Sequence, residues 1–444
     1  MRRGVGRGAS SMVGRRSIVA AFLAFVIAWS PVDAQTTPHA PRPTLEAELL
    51  TDARIDSLPE PKRTAWRRYL TRSRELEAAD RAFMAAELRR VGAAEMRKAT
   101  YARGFELTRA MTDAWFASDS ARGLGLALLT WQTPAGGWSK RTEMSRPRQP
   151  GESWYAESNG WHYIGTIDNG ATTSQLRFLA RLVAAHSPAG SGQADAGFQA
   201  AYVRGLEYLL EAQLPNGCWP QVYPLQGGYS DAATFNDDAI VNVLELLGDV
   251  SASRAPFVPA SLRDRAAAAE RRGIDCVLAA QVMRGGVRTV WGQQHDPITL
   301  APIAARSYEL AGLSGRESAA IMTYLMSIPA PERRVVDAVH AAAAWFRSHA
   351  IRDYEYDAQQ RFVPTPGAGP IWARLTDLET DRPIFANRDG VKLYDWNLLT
   401  DRRSGYAWFG TEPAAALRKY EKWARTHSRA PSRKVEKSQA SSRP

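Results

Sequence analysis

Asp168-Asn169 and Asn236-Asp237-Asp238 put carboxylate and carboxamide oxygens at two matched points of the chain. The first pair lies in Thr166-Ile167-Asp168-Asn169-Gly170-Ala171-Thr172-Thr173, and the second in a near copy, Thr234-Phe235-Asn236-Asp237-Asp238-Ala239, 68 residues on. Such side chains are hard oxygen donors, and two sets brought together could hold a cation. A plainer role is open as well, because Asp and Asn at a helix start cap orphan N–H groups and complement the dipole. Duplication of the whole segment is what favours a shared site over a local cap.

Four basic residues stand in loops instead of on helical faces. Lys140 follows Gly136-Gly137-Trp138-Ser139, and Arg306 and Tyr308 lie in Ala305-Arg306-Ser307-Tyr308-Glu309. Arg374 ends Ile371-Trp372-Ala373-Arg374, and Arg388 lies in Pro383-Ile384-Phe385-Ala386-Asn387-Arg388-Asp389-Gly390. Arginine among aromatics offers a planar fork for carboxylates and stacks on ring faces. One such residue is ordinarily a salt-bridge partner. Several of them, with duplicated acidic clusters, suit an acidic sugar polymer gripped through a cation and guanidinium groups.

The elements that must position these groups read as helices. Both acidic clusters precede apolar runs of helical period: Leu176, Leu179, Leu182 and Val183 after the first, Ile240, Val243, Leu244 and Leu247 after the second. A helix–turn signature also recurs. Trp131-Gln132-Thr133-Pro134-Ala135-Gly136-Gly137-Trp138 returns as Ala212-Gln213-Leu214-Pro215-Asn216-Gly217-Cys218-Trp219, with a looser form from Gln281 through Gly285-Gly286 to Trp291. Repeated helix pairs predict a mainly α, α/α toroid-like array whose long loops line a common groove. Periodicity places helices at 121–130, 171–186, 199–213, 237–249, 261–281, 315–328 and 332–347, with two or three more between Pro61 and Thr100. Period-2 alternation is scarce, so strands should be few and short. Between 350 and 412 helical periodicity stops, and a long loop region carries Trp372, Phe385, Tyr394, Trp396, Tyr406 and Trp408. Loop tryptophans suit stacking on sugar rings, but Trp138, Trp219 and Trp291 could equally pack over their own turns.

The 444 residues and 45% apolar content allow a large core. Residues 1–34 read as an export signal, with Arg2, Arg3, Arg7, Arg15 and Arg16 before an apolar stretch from Ser17 to Trp29 and a small-residue cleavage site at Val32-Asp33-Ala34. That stretch is short for a membrane span, so a secreted or periplasmic protein with no span after cleavage is expected. The expected order is then an extended lead-in (35–60), an N-terminal helical region (61–110), an α/α catalytic domain (111–420) and a disordered basic tail (421–444). Of the formal charge of +11, the leader carries +4 and the stretch from Arg425 carries +5, which leaves the body nearly neutral. A basic face for nucleic acid is therefore not expected. Cys218 and Cys276 could pair in an oxidising compartment. Zinc-type spacings, GxSxG and phosphate-loop patterns do not occur.

Eleven segments in order, from Pro134–Lys140 through Thr166–Thr173, Pro215–Pro224, Thr234–Ala239, Gln294–Pro297, Arg306–Glu309, Leu313–Gly315, Trp372–Arg374, Arg382–Phe385 and Arg388–Gly390 to Gly405–Trp408, resemble the pectate lyases of polysaccharide lyase family ten. The resemblance runs from about residue 60 to 420 and implies calcium-assisted β-elimination on α-1,4-linked polygalacturonate (pectate); a monomer is expected. It implies Asp168, Asn169 and Asp237 as calcium ligands and Lys140, Arg306, Tyr308 and Arg374 as substrate-binding residues. It also implies Arg388 as the base that removes the C5 proton. A glycoside hydrolase on an α/α toroid is the main alternative, with Asp168 and Asp237 as its two carboxylates. A non-catalytic glycan-binding module is the third reading, and it leaves Arg388 and the paired acidic clusters without a purpose.

Overall fold

Thr51, Thr112 and Ser118 each turn a hydroxyl onto the backbone N–H three residues ahead, satisfying donors that a helix start leaves orphaned. In the computed structural model these caps open α1 (Asp52–Asp56) and, beyond α2 (Lys62–Val91), α3 (Asp113–Phe116) and α4 (Asp119–Thr130). The structure describes residues 49–157, 165–186, 193–357, 359 and 361–427. The expected leader, the first part of the lead-in and the tail beyond 427 lie outside them. Two corrections appear at once. The lead-in is not extended throughout, because α1 falls within it. The two or three helices expected from Pro61 onward are one 30-residue helix, since neither Gly nor Pro interrupts it before Gly92, whose left-handed φ of 67° ends it.

The chain continues as α5 (Thr173–His186), α6 (Gln193–Ala212), α7 (Ala239–Ser251), α8 (Ala260–Ala280), α9 (Gly315–Ser327), α10 (Arg333–Ser348) and α11 (Glu412–Trp423). Helix α5 packs on α6, α7 on α8, and α9 on both α10 and α11. The apolar stripes named above are buried at these contacts. The result is a mainly helical, α/α toroid-like fold whose short sheets do not close into a barrel. Strands are short, as expected, but more numerous: seven two-stranded antiparallel ladders occur among the described residues.

Each helix–turn unit is locked the same way. The Gln132 amide donates to the carbonyls of Gly136 and Ala201 at 2.7 and 2.9 Å; Gln213 does so to Gly217 and Ala269 at 2.8 and 2.9 Å; Gln281 does so to Thr289 and Ala338 at 2.9 and 3.0 Å. Each glutamine thus closes its own turn and ties it to a following helix. The tryptophan after each turn donates its indole N–H back to a helix carbonyl: Trp138 to Leu128, Trp219 to Leu209, Trp291 to Val277. All three rings are 0% exposed, so they pack the units together and are unavailable to a sugar. Gly205 and Gly273 let those rings in, since a Cβ would sit 2.8 Å from Trp138 Cζ3 and 2.8 Å from Trp219 Cζ3 respectively. Cys218 and Cys276 form a disulfide that fastens the second turn to α8.

Three of the ladders lie just ahead of the site. Gly165–Thr166 pairs with Val222–Tyr223, Ala233–Thr234 with Gln294–His295, and Leu313–Ser314 with Leu375–Thr376. The loop region after residue 350 builds its own apolar cluster around Tyr308, Phe385, Trp396, Tyr406 and Trp408.

Candidate active site

Thr166, at the end of its ladder, donates its hydroxyl to the Gln221 carbonyl at 2.6 Å and accepts the Asp168 N–H at 3.1 Å. A tight turn follows in which Asn169 takes φ 51°, and the matching turn after Thr234 puts Asp237 at φ 49°. Asn and Asp tolerate this left-handed conformation better than other non-glycine residues. The two left-handed residues are equivalents in the repeat and they meet: Asn169 Nδ2 donates to Asp237 Oδ2 at 2.8 Å.

Asp168 is buried. Its Oδ2 accepts from Lys140 Nζ at 2.5 Å and from Gln221 Nε2 at 2.7 Å, whereas its Oδ1 has no hydrogen-bond partner. Asp237 accepts from Asn236 Nδ2 at 3.1 Å and lies 3.6 Å from an Arg316 nitrogen and 3.7 Å from Arg374 Nη2. None of the side-chain bonds described for Asp168 or Asp237 is a helix cap. Burial raises the Asp237 carboxyl above its ordinary range, and the charge of Asp168 raises it further against the pull of Arg374. Burial works against the Lys140 ammonium, but Asp168 outweighs it and holds the lysine charged.

Arg374 is 7% exposed and is held by an acid that does not reach solvent. Its Nη2 donates to Glu317 Oε1 at 3.0 Å and to Asn236 Oδ1 at 3.3 Å, and its guanidinium faces the Tyr406 ring at 4.5 Å. Ser314 and Gln293 also donate to Glu317, and Tyr406 donates to Gln293 at 3.2 Å. Burial pushes the Glu317 carboxyl up, but Arg374 and the Ser314 hydroxyl bring it below its usual value. Arg306 makes a two-point pair with Glu309 at 2.7 and 2.6 Å and stands 5.0 Å over the Tyr308 ring, which meets Tyr406 edge-on. The Glu309 carboxylate keeps Arg306 charged despite burial.

Arg388 has a different partner, Asp401. Its side chain is 60% exposed, its Nη1 donates to the Asp401 carbonyl at 3.2 Å, and none of its described contacts is with Asp168, Asn169, Asp237 or Lys140. Its loop backs onto the Arg306 loop through Gly390, where a Cβ would lie 3.3 Å from the Ser307 carbonyl. The structure therefore joins Lys140, Asp168, Asn169, Asp237 and Arg374 directly, adds Arg306 and Tyr308 through Tyr406, and leaves Arg388 at the edge.

Sequence reasoning missed Gln221, Glu309, Arg316, Glu317, Tyr229 and Arg402. Glu317, three residues after Ser314, reads as a capping-box acid, and its hydroxyl partner is indeed Ser314, but its larger task is Arg374. Tyr229 has no distinguishing local pattern. Burial raises its phenol, whose surroundings include Arg306, Lys140, Glu309 and Asp168.

Comparison with known proteins bears on the family and the fold. The profile of a family described as pectic acid lyase matches residues 132–417. A family 10 polysaccharide lyase from Cellvibrio cellulosa is 33% identical, with a TM-score of 0.60 over 72% of this chain and 98% of that chain. An aspartate-to-alanine mutant of a family 10 polysaccharide lyase from the same organism, solved in complex with trigalacturonic acid, gives 33% identity and a TM-score of 0.60 over 73% of this chain and 100% of that one. Among curated proteins none matches. A hydrolase and a passive binding module are thereby set aside: the chain belongs to the pectic acid lyase family and, like the family 10 polysaccharide lyases it resembles in structure, is a lyase of pectate-type polysaccharides.

Proposed function

We propose that the chain cleaves α-1,4-linked polygalacturonate by calcium-assisted anti β-elimination, giving 4,5-unsaturated oligogalacturonides. The observation that carries this reading is the buried, partnerless Oδ1 of Asp168 beside Asp237, between Lys140 on one side and Arg374 on the other. The charge of Asp168 raises the proton affinity of Asp237, which suits a cation between the two carboxylates, and the Asn169 amide oxygen is a further hard donor. Among the described residues no group of three or more His, Cys, Asp or Glu side chains could hold a metal ion, so a sparse protein set completed by a substrate carboxylate is the fitting form. Calcium held there would supply charge neutralisation to the substrate's C6 carboxylate, which makes the adjacent C5 hydrogen more acidic.

The protein's own groups do the rest. Lys140 and Arg374, both held charged by buried acids, would bind uronate carboxylates and stabilise the negative charge that develops as the proton leaves. Arg306 and Tyr308 would place the neighbouring sugar. Arg388 would take the C5 proton, a step that a guanidinium otherwise resists. A second reading has support from Tyr229: Arg306, unlike Arg388, acts on the same phenol as Lys140 and Asp168. In that reading Arg306 takes the proton, against the Glu309 carboxylate that favours its charged form, and Arg388 binds. Export to the cell exterior or periplasm, and action as a monomer, complete the proposal.

The test is an assay on polygalacturonate with calcium and then with chelator, reading the ultraviolet absorbance of the 4,5-unsaturated product. Absorbance that rises and then stops on chelation is expected; chelator-resistant absorbance would remove the calcium part of the reading.

A further inference from the structure

Arg402 differs from the other guanidinium groups around the site. Its Cζ lies 4.1 Å from the centroid of the Tyr308 ring and 5.7 Å from that of Tyr406. Its Nη2 donates to the Gly405 carbonyl at 3.2 Å, and its Nε, like that of Arg374, is buried without a hydrogen-bond partner. Arg306 has Glu309, Arg374 has Glu317 and Arg388 has Asp401, but among the described residues no carboxylate pairs with Arg402. A stacked guanidinium keeps its charge and its planar fork in a fixed orientation. Leaving such a group partly buried and without an acid costs free energy that an incoming anion would return.

The aromatic rings give this charge its place. Arg306 and Arg402 share the Tyr308 ring, Arg374 faces Tyr406, and the two tyrosines meet edge-on at 5.3 Å. Three guanidinium groups are thus arranged about one pair of rings, and two of them are already neutralised.

We propose that Arg402 binds a second uronate carboxylate of the polygalacturonate chain, beyond the one handled at Asp168, Asp237, Lys140 and Arg374, and so selects stretches in which neighbouring sugars are unesterified. The proposal rests on the polygalacturonate reading given above. A methyl ester at that position carries no charge and leaves the guanidinium as unpaired as it is in the free enzyme, so discrimination against esterified pectin follows.

The experiment uses the full chain with calcium and compares wild type, Arg402→Gln and Arg402→Lys on polygalacturonate and on a lightly methyl-esterified pectin. Arg402→Gln should lower kcat/KM on polygalacturonate about tenfold, chiefly through KM. It should lower it less on the esterified substrate, so that the wild-type preference shrinks. Arg402→Lys should recover part of the loss, because the charge returns without the flat fork. Equal losses on both substrates in both variants would mean that Arg402 merely holds the loop leading to Tyr406, and would overturn the proposal, as would unchanged kinetics. A wild-type chain that forms no unsaturated product would instead sink the lyase reading. Calorimetric binding of trigalacturonate then decides the role of Arg402 alone: weaker binding in Arg402→Gln, partly kept in Arg402→Lys, supports it, and equal binding in all three forms overturns it.

Discussion

Asn169 and Asp237 occupy the same position in two copies of one motif and hydrogen-bond to each other at 2.8 Å. The repeat is thus not two parallel sites but one site made from both copies. Asp168 of the first copy aligns with Asn236 of the second, and Asn169 with Asp237, so acid and amide exchange places between copies. Each copy thus supplies one carboxylate and one amide from these two positions.

Asp168→Asn and Asp237→Asn should each lower kcat/KM by about a hundredfold or more, because each removes an anionic ligand of the cation that would neutralise the reacting carboxylate. Circular dichroism should show both folded. A variant with near-normal kinetics at low calcium would remove that residue from the ligand set.

Chelation should stop turnover while barely moving the Tm, since an ion held partly by substrate contributes little to folding of the free enzyme. Differential scanning calorimetry with and without chelator checks this. A drop of about ten degrees or more would point to a structural ion elsewhere.

Trp219→Ala should cost on the order of 3–5 kcal/mol, because a fully buried ring and its bond to the Leu209 carbonyl are both lost. Urea titration measures it. A cost near zero would mean that the repeated turn does not hold the units together.

Much of this was legible in the sequence, for a physical reason. Helices α4, α5 and α7 through α10 show their apolar stripes because each buries a wide face, and their observed limits fall close to those read from periodicity. Helix α11 escaped because the residues it buries are Pro413, Ala416 and Tyr420, too few large apolar groups to produce a visible period. The acidic clusters were legible through their duplication. Glu317 and Gln221 were not, since each acts on a partner more than fifty residues away, Arg374 and Asp168, and the only local mark, the spacing of Glu317 from Ser314, points to a helix cap. Trp138, Trp219 and Trp291 were visible as a register, but only packing shows that they face inward.

Stability should depend on pH through Asp238. Burial raises its carboxyl from 3.8 to about 6, against the pull of Arg316. A carboxyl raised on folding binds its proton more tightly in the native state, so its contribution is most favourable below its unfolded pKa and is lost as pH rises through about 6. Asp238→Asn should therefore raise the Tm at neutral and alkaline pH and have less effect in acid. An equal change at every pH would contradict the assignment to ionisation.

The base should declare itself in paired kinetics. Arg388→Ala should lower kcat by several orders of magnitude with little change in KM, since its contribution exists in the transition state alone. Arg306→Ala should raise KM as well. The reverse pattern would transfer the role to Arg306 with Glu309. An ammonium loses its proton more readily than a guanidinium, so Arg388→Lys should retain a fraction of activity if its shorter reach still meets C5.

The most direct measurement is the ultraviolet absorbance of products formed from polygalacturonate in the presence of calcium, recorded beside the release of reducing ends. The account predicts that the two rise together, one C4–C5 double bond for each chain broken. Reducing ends appearing without that absorbance would show hydrolysis, and would contradict elimination at the Asp168–Asp237 site.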